Sequence, residues 1–175
     1  MALLSVITAP DPRLKIKARP VAAVDAKIRR LMDDMLETMY GAIGVGLAAP
    51  QVGQPHRVIV LDVARDGEKP QPLKLANPEI IWRSDELTTG NEGCLSLPEH
   101  YAEVTRPAVI RMRYLDYQNE IREMEASGLL AMCLQHEIDH LDGILFVDHI
   151  SSLKRGMILR KLAKAKRSRV SATAA

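Results

Sequence analysis

The chain has 175 residues, of which 47% are hydrophobic and 26% charged, and its formal net charge is +2. It is long enough for one domain with a substantial core, and too nearly neutral for a general attraction to nucleic acid. Its two cysteines are widely spaced, which excludes a disulfide framework, no apolar run reaches membrane-span length, and the N-terminus lacks a signal-peptide pattern. A cytoplasmic location and no membrane partner are therefore expected.

Residues 1–20 carry Pro10, Pro12 and Pro20 and read as an extended arm. Asp25 then caps an amphipathic helix in which Ile28, Leu31, Met32, Met35, Leu36 and Met39 recur at three- and four-residue spacing, ending near Gly41–Gly44. The methionine stripe reads as core packing. Gly44-Val45-Gly46-Leu47-Ala48-Ala49-Pro50-Gln51 follows as a glycine-rich turn or strand. It is not a dinucleotide fingerprint, because no strand precedes it and no helix pattern follows. Arg57–Val63 reads as a buried strand and Leu73–Trp82 as an extended segment bent at Asn77-Pro78. Residues 84–90 read as polar loop. Ile110–Tyr114 alternates apolar and basic residues, and a turn at Gln118-Asn119 leads it back into Glu120–Ala126 as a hairpin.

The next segment holds the most specific chemistry. Gln135-His136-Glu137-Ile138-Asp139-His140-Leu141-Asp142-Gly143 contains the H-E-x-x-H pattern. On a helix, residues four apart share a face, so His136 and His140 can hold one metal ion, with Glu137 beside them as a base toward water. Ser127 as N-cap and Gly143 just past the end bound such a helix, and it is apolar nearly all round, hence buried. A catalytic centre of this type needs a third protein ligand. Cys133 shares the helix face, but three ligands strung along one helix close a tetrahedron poorly, so Cys94, approaching from a separate loop, is the better candidate. After a short linker at Ile144–Asp148, Ser151 or Ser152 caps a last helix with Leu153, Met157, Leu159 and Leu162 on its apolar side. Its other face carries Lys154, Arg155, Arg160, Lys161, Lys164, Lys166, Arg167 and Arg169, and no acidic residue occurs from 151 onward.

These elements predict one α+β domain over 1–175. Antiparallel or mixed sheets should pack around the central buried helix that carries H-E-x-x-H, with a basic C-terminal helix over about 151–169 and a disordered tail over 170–175.

Three segments together, Gly44–Gln51, Glu92-Gly93-Cys94-Leu95-Ser96 and Gln135–His140, resemble the three motifs of the peptide deformylase family, in order and with similar spacing. The resemblance covers essentially the whole chain. It implies removal of the N-formyl group from the initiator methionine of newly synthesised polypeptides, by one divalent metal ion on Cys94, His136 and His140. It further implies Fe(II) in the cell, with zinc, nickel or cobalt able to substitute; one thiolate and two imidazoles suit zinc and iron alike. Glu137 would take a proton from water and pass it to the leaving amine, and the Gln51 side chain and Leu95 backbone N–H, carried over from the family, would stabilise the oxyanion. The basic stretch 154–169 resembles the helix with which bacterial members dock on the ribosome, and a monomer is expected.

Substrate contacts are read from position. Val45 and Gly46 can offer backbone hydrogen bonds to an extended formyl-Met peptide, a form of strand addition. Leu129, Met132, Cys133 and His136 lie at helical spacing on the metal face and can wall a methionine pocket, although the same spacing suits plain core packing. Glu92 and Arg106 are placed to pair and brace Cys94. Two other classes fit less well. An ordinary H-E-x-x-H metallopeptidase takes a third His or a Glu, and an RNA-binding module would want more than 3% aromatic residues.

Overall fold

The computed structural model describes residues 2–174. Among these, three α-helices form: α1 (Ala26–Gly41), α2 (Gly128–Leu141) and α3 (Ser152–Thr173). Seven strands accompany them: β1 (Gly46–Ala48), β2 (Val58–Leu61), β3 (Leu73–Arg83), β4 (Leu87–Cys94), β5 (Leu97–Pro107), β6 (Val109–Leu115) and β7 (Ile121–Ser127). β1, β2, β3, β6 and β7 make one sheet in that order, and β4 pairs with β5 in a separate ribbon; all these pairings are antiparallel.

The two-residue period of β2 places one helix on each face of the sheet. Val58 and Val60 pack with Ile28, Met32, Met35 and Met39 of α1. Ile59 and Leu61 pack with Ala131, Leu134, Ile138 and Leu141 of α2. All four β2 side chains are buried, so the strand reads as a continuous apolar run. Asp25 caps α1 as its sequence suggests, its carboxylate accepting the Ile28 N–H at 2.9 Å. The bend at Asn77-Pro78 is a bulge, where the β3–β6 register shifts between Ala76 and Glu79. Asn77 stands there at φ +47 and bonds through its side chain to both backbone groups of Val21.

Several expectations need correction. The polar loop over 84–90 is largely strand, since β4 begins at Leu87. Burial does alternate along it, but the covered positions hold Thr88, Gly90 and Glu92 in place of apolar residues, and on the exposed face threonines pair across the ribbon, Thr89 to Thr105 at 2.8 Å. Cys94 accordingly ends a strand rather than sitting in an independent loop. The last helix runs on to Thr173, with no breaker after Gly156 to stop it and with Ser168, Ser171 and Thr173 each bonding back four residues. Its buried side is Ile158, Leu159 and Leu162, which join Leu97, Val104 and Phe146 in a third core cluster. Leu153 and Met157 are instead 70% and 46% exposed. Ser127 holds the N-cap position of α2 without a side-chain bond to it.

Candidate active site

The sequence order Cys94, then His136 and His140, becomes a cluster because the β4–β5 ribbon folds over α2. The ligating atoms of these three residues lie within 4.8 Å of one another, and Cys94 Sγ is 3.2 Å from His140 Nε2. Both histidines and Glu137 are buried. Gln51, held in a short 3-10 turn after β1, presents its amide in one orientation. Its Oε1 accepts the Ala48 N–H at 2.8 Å, so Nε2 points toward Ser96 Oγ at 3.0 Å and Cys94 Sγ at 3.4 Å. Leu95 and Ser96 form the turn joining β4 to β5, and the Ser96 N–H also points at the Cys94 sulfur, at 3.4 Å.

A chain of charges stands behind the histidines. Glu92 accepts two bonds from Arg106, at 2.5 and 3.0 Å, and its Oε2 lies 2.8 Å from His136 Nδ1. Arg106 also donates to Asp139 at 2.9 Å, and His149 Nε2 approaches the same oxygen at 2.7 Å. The Glu92–Arg106 brace expected from sequence is thus present, while its continuation through Asp139 to His149 is legible only in three dimensions. Burial raises the Glu92 carboxyl, but the Arg106 and His136 bonds outweigh it and hold the group at about 2. A carboxylate fixed on Nδ1 orients the imidazole and leaves its other nitrogen for a metal.

The donor set fits a divalent cation. Burial holds His140 well below the ordinary histidine range, as a neutral imidazole ligand requires. Glu137 Oε2 and His140 Nδ1 are buried without a hydrogen-bond partner among the described residues. An unpaired buried carboxylate oxygen beside a thiol and two imidazoles marks a place built for a further group. Burial pushes the Glu137 carboxyl up to about 7, with His136 only partly offsetting it, so the group can both take and return a proton near neutral pH.

A cavity of about 430 Å³ opens onto this centre. Val45, Gly46, Gln51, Cys94, Leu95, Leu129, Met132, Cys133, His136 and Glu137, each singled out from sequence, all line it. His140 lies behind them, buried. Cys133 is a cavity wall and stands outside the cluster of Cys94, His136 and His140, and burial pushes its thiol up to about 12. The Val45 carbonyl is already used by the Asp62 N–H at 2.9 Å, which leaves the outer edge of β1 for an extended chain. Ile43, His100 and Tyr101 also line the cavity; the sequence assigns no role to His100 and Tyr101 and does not mark Ile43 at all.

Gly46 is needed for closeness rather than for turning. A methyl group there would lie 2.8 Å from Glu137 Cδ and nearer still to Oε1. Gly46→Ala should therefore displace the carboxylate and lower turnover by roughly 10²-fold, with a near-unchanged circular dichroism spectrum. Turnover within twofold of wild type would show that the carboxylate position is not critical.

Comparison with known proteins places this site in context. Residues 3–156 match the family model described as polypeptide deformylase. The chain is 60% identical over 168 residues to the peptide deformylase of Methylocella silvestris, covering 94% of this chain and 86% of that one. It is 53% identical over 169 residues to that of Rhizobium meliloti, covering 97% of each. Among solved structures, the peptide deformylase of Ehrlichia chaffeensis in complex with actinonin aligns with a TM-score of 0.91 at 42% identity, over 95% of this chain and 99% of that one. The peptide deformylase of Legionella pneumophila aligns with a TM-score of 0.88 at 44% identity, over 97% and 98%.

Proposed function

Because the chain belongs to the peptide deformylase family, metal-dependent hydrolases that remove the N-formyl group from nascent polypeptides, we propose a specific division of labour among its residues. Cys94, His136 and His140 hold one divalent cation. The observation that carries this reading is the convergence of their three donor atoms beside the buried Glu137 carboxylate, against the cavity. When bound, the cation supplies Lewis acidity toward water and the formyl oxygen.

Glu137 takes the proton of the attacking water and later delivers it to the amine that leaves, a reversal suited to a carboxyl near 7. The Gln51 Nε2 amide and the Leu95 backbone N–H face the place where negative charge develops on the formyl oxygen. Gln51 donates without adding charge, and its bond from Ala48 keeps the donor end aimed at the site. The outer edge of β1 at Gly46 takes the extended peptide, with Val45 lining the cavity beside it, and Leu129, Met132 and Cys133 wall the methionine side chain. A thiolate with two imidazoles suits Fe(II), and zinc, nickel or cobalt can occupy the same donors. The test is formate release from a formyl-Met peptide by anaerobically prepared protein, before and after chelation and after metal return. Release that disappears on chelation and returns with metal is expected; release from metal-free protein would defeat the ligand assignment.

The same reading gives α3 two parts. Ile158, Leu159 and Leu162 belong to the core, together with Phe146, whose ring stacks on that of His136 at 6.3 Å between centroids. The basic stretch beyond, with Lys164, Lys166, Arg167 and Arg169, is largely exposed and lies outside the residues matched by the family model. It is the part proposed to dock the otherwise monomeric enzyme on the ribosome. Removal of everything after 150 would open the core, so charge reversal is the better probe. Converting Lys164, Arg167 and Arg169 to Glu should weaken ribosome association about tenfold or more at low salt, with little effect on short peptides. Equal sedimentation of variant and wild type with ribosomes would sink the docking role.

A further inference from the structure

Two helices of this chain end in the same motif, and only one of them ends in the residue that motif favours. At the end of α2 the Gly143 N–H bonds to the His140 carbonyl at 3.2 Å and the Ile144 N–H to the Asp139 carbonyl at 2.9 Å. Gly143 takes the left-handed position, at φ +73. At the end of α1 the Ile43 N–H bonds to the Tyr40 carbonyl at 3.0 Å and the Gly44 N–H to the Met39 carbonyl at 2.9 Å. The left-handed residue is now Ile43, at φ +56.

A β-branched side chain in that region crowds its own backbone, where glycine or asparagine would sit freely. Nothing in the core offsets this, since Ile43 is 94% exposed. Stability alone would be better served by glycine, and glycines already flank the position at 41 and 44. Strain of this kind is held in place where function needs it. The side chain stands on the rim of the cavity that holds Glu137, together with the exposed Val45, Leu129 and Tyr101. The turn is also seated from below. A methyl group on Gly44 would lie 2.8 Å from Leu95 Cδ1, so the backbone beside Ile43 rests closely on the turn that follows Cys94.

We propose that Ile43 is a specificity-determining residue, which with Leu129 and Tyr101 forms an apolar rim for a side chain of the substrate just downstream of formyl-methionine. The enzyme then favours formylated peptides with a large apolar second or third residue over polar ones. This rests on the proposed peptide groove along β1. Covering one apolar side chain on such a rim corresponds to roughly 5- to 10-fold in kcat/KM.

The test uses metal-loaded full-length enzyme and formyl-Met peptides that differ only in Leu or Ser at the second or third position. Wild type should prefer Leu at one of the two positions by that factor. Ile43→Gly and Ile43→Asn should bring the ratio close to one, mainly through KM, while Ile43→Val keeps most of it. Both left-handed-tolerant variants should also melt higher, by roughly 2–4 °C. A Leu-to-Ser ratio of one in wild type, or a ratio unchanged in Ile43→Gly, would overturn the inference. Wild type that released no formate from any of the peptides would overturn the underlying groove as well, which separates the two failures.

Discussion

Replacing Glu137 by Gln is expected to lower formate release by about 10²–10⁴-fold while the bound metal stays in place. The carboxylate is buried, its Oε2 has no hydrogen-bond partner among the described residues, and its Oε1 lies against Gly46. Gln fits the same volume, so little repacking follows, but it can neither take nor return a proton. Metal analysis and turnover should be read on the same preparation. Loss of activity with full metal content identifies Glu137 as the proton carrier, whereas loss of both would make it a structural support of the centre. Activity within a few fold of wild type would remove Glu137 from the reaction altogether.

The second large effect is expected at Glu92, which is bonded to Arg106 and His136. Its carboxylate is enclosed with Arg106, the two side chains being 3% and 6% exposed. Glu92→Ala would leave Arg106 buried with Asp139 as its remaining acidic partner. Breaking an enclosed pair in this way costs about 3–5 kcal/mol. It also frees the His136 ring from its Nδ1 partner, and loss of such a support typically lowers metal affinity 10–100-fold. Glu92→Gln keeps an acceptor for the imidazole and a partner for the guanidinium, so it should fall between Ala and wild type on both measures. Chelator competition and thermal denaturation check the two effects. An Ala variant that binds metal as tightly as wild type would show that Arg106 and Glu92 serve only the fold.

What could be read in advance depended on whether the deciding contacts lie near one another along the chain. The helix around His136 and His140 was legible because its face, its N-cap position and its terminal Gly143 fall within a few turns. β2 was legible because Val58–Leu61 is a short unbroken apolar run. Cys94 could be favoured over Cys133 from ligand geometry alone. The β4–β5 ribbon was not legible over 84–90, because the covered positions of β4 hold Thr88, Gly90 and Glu92, which carry no apolar signal. The buried side of α3 is not legible for a related reason. Several apolar residues ring that helix, and only packing against Phe146 and Leu97 decides which are covered. Asp139 and His149 joined the network behind His136 through contacts that no local pattern announces. Ile43 is not legible because a left-handed φ at a β-branched residue leaves no mark in composition, whereas Gly143 announces its own.

Cys94 belongs to the ribbon, whereas His136 and His140 belong to the helix beneath it, with Glu92 and Arg106 joining the two pieces. A cation held by all three ligands therefore closes the long connection between ribbon and helix, as a cross-link would, and restricts the open chain more than the closed one. By linkage, whatever free energy the ion contributes to holding the ribbon down, the seated ribbon returns as affinity for the ion. Metal affinity and ribbon stability are then one quantity observed from two sides.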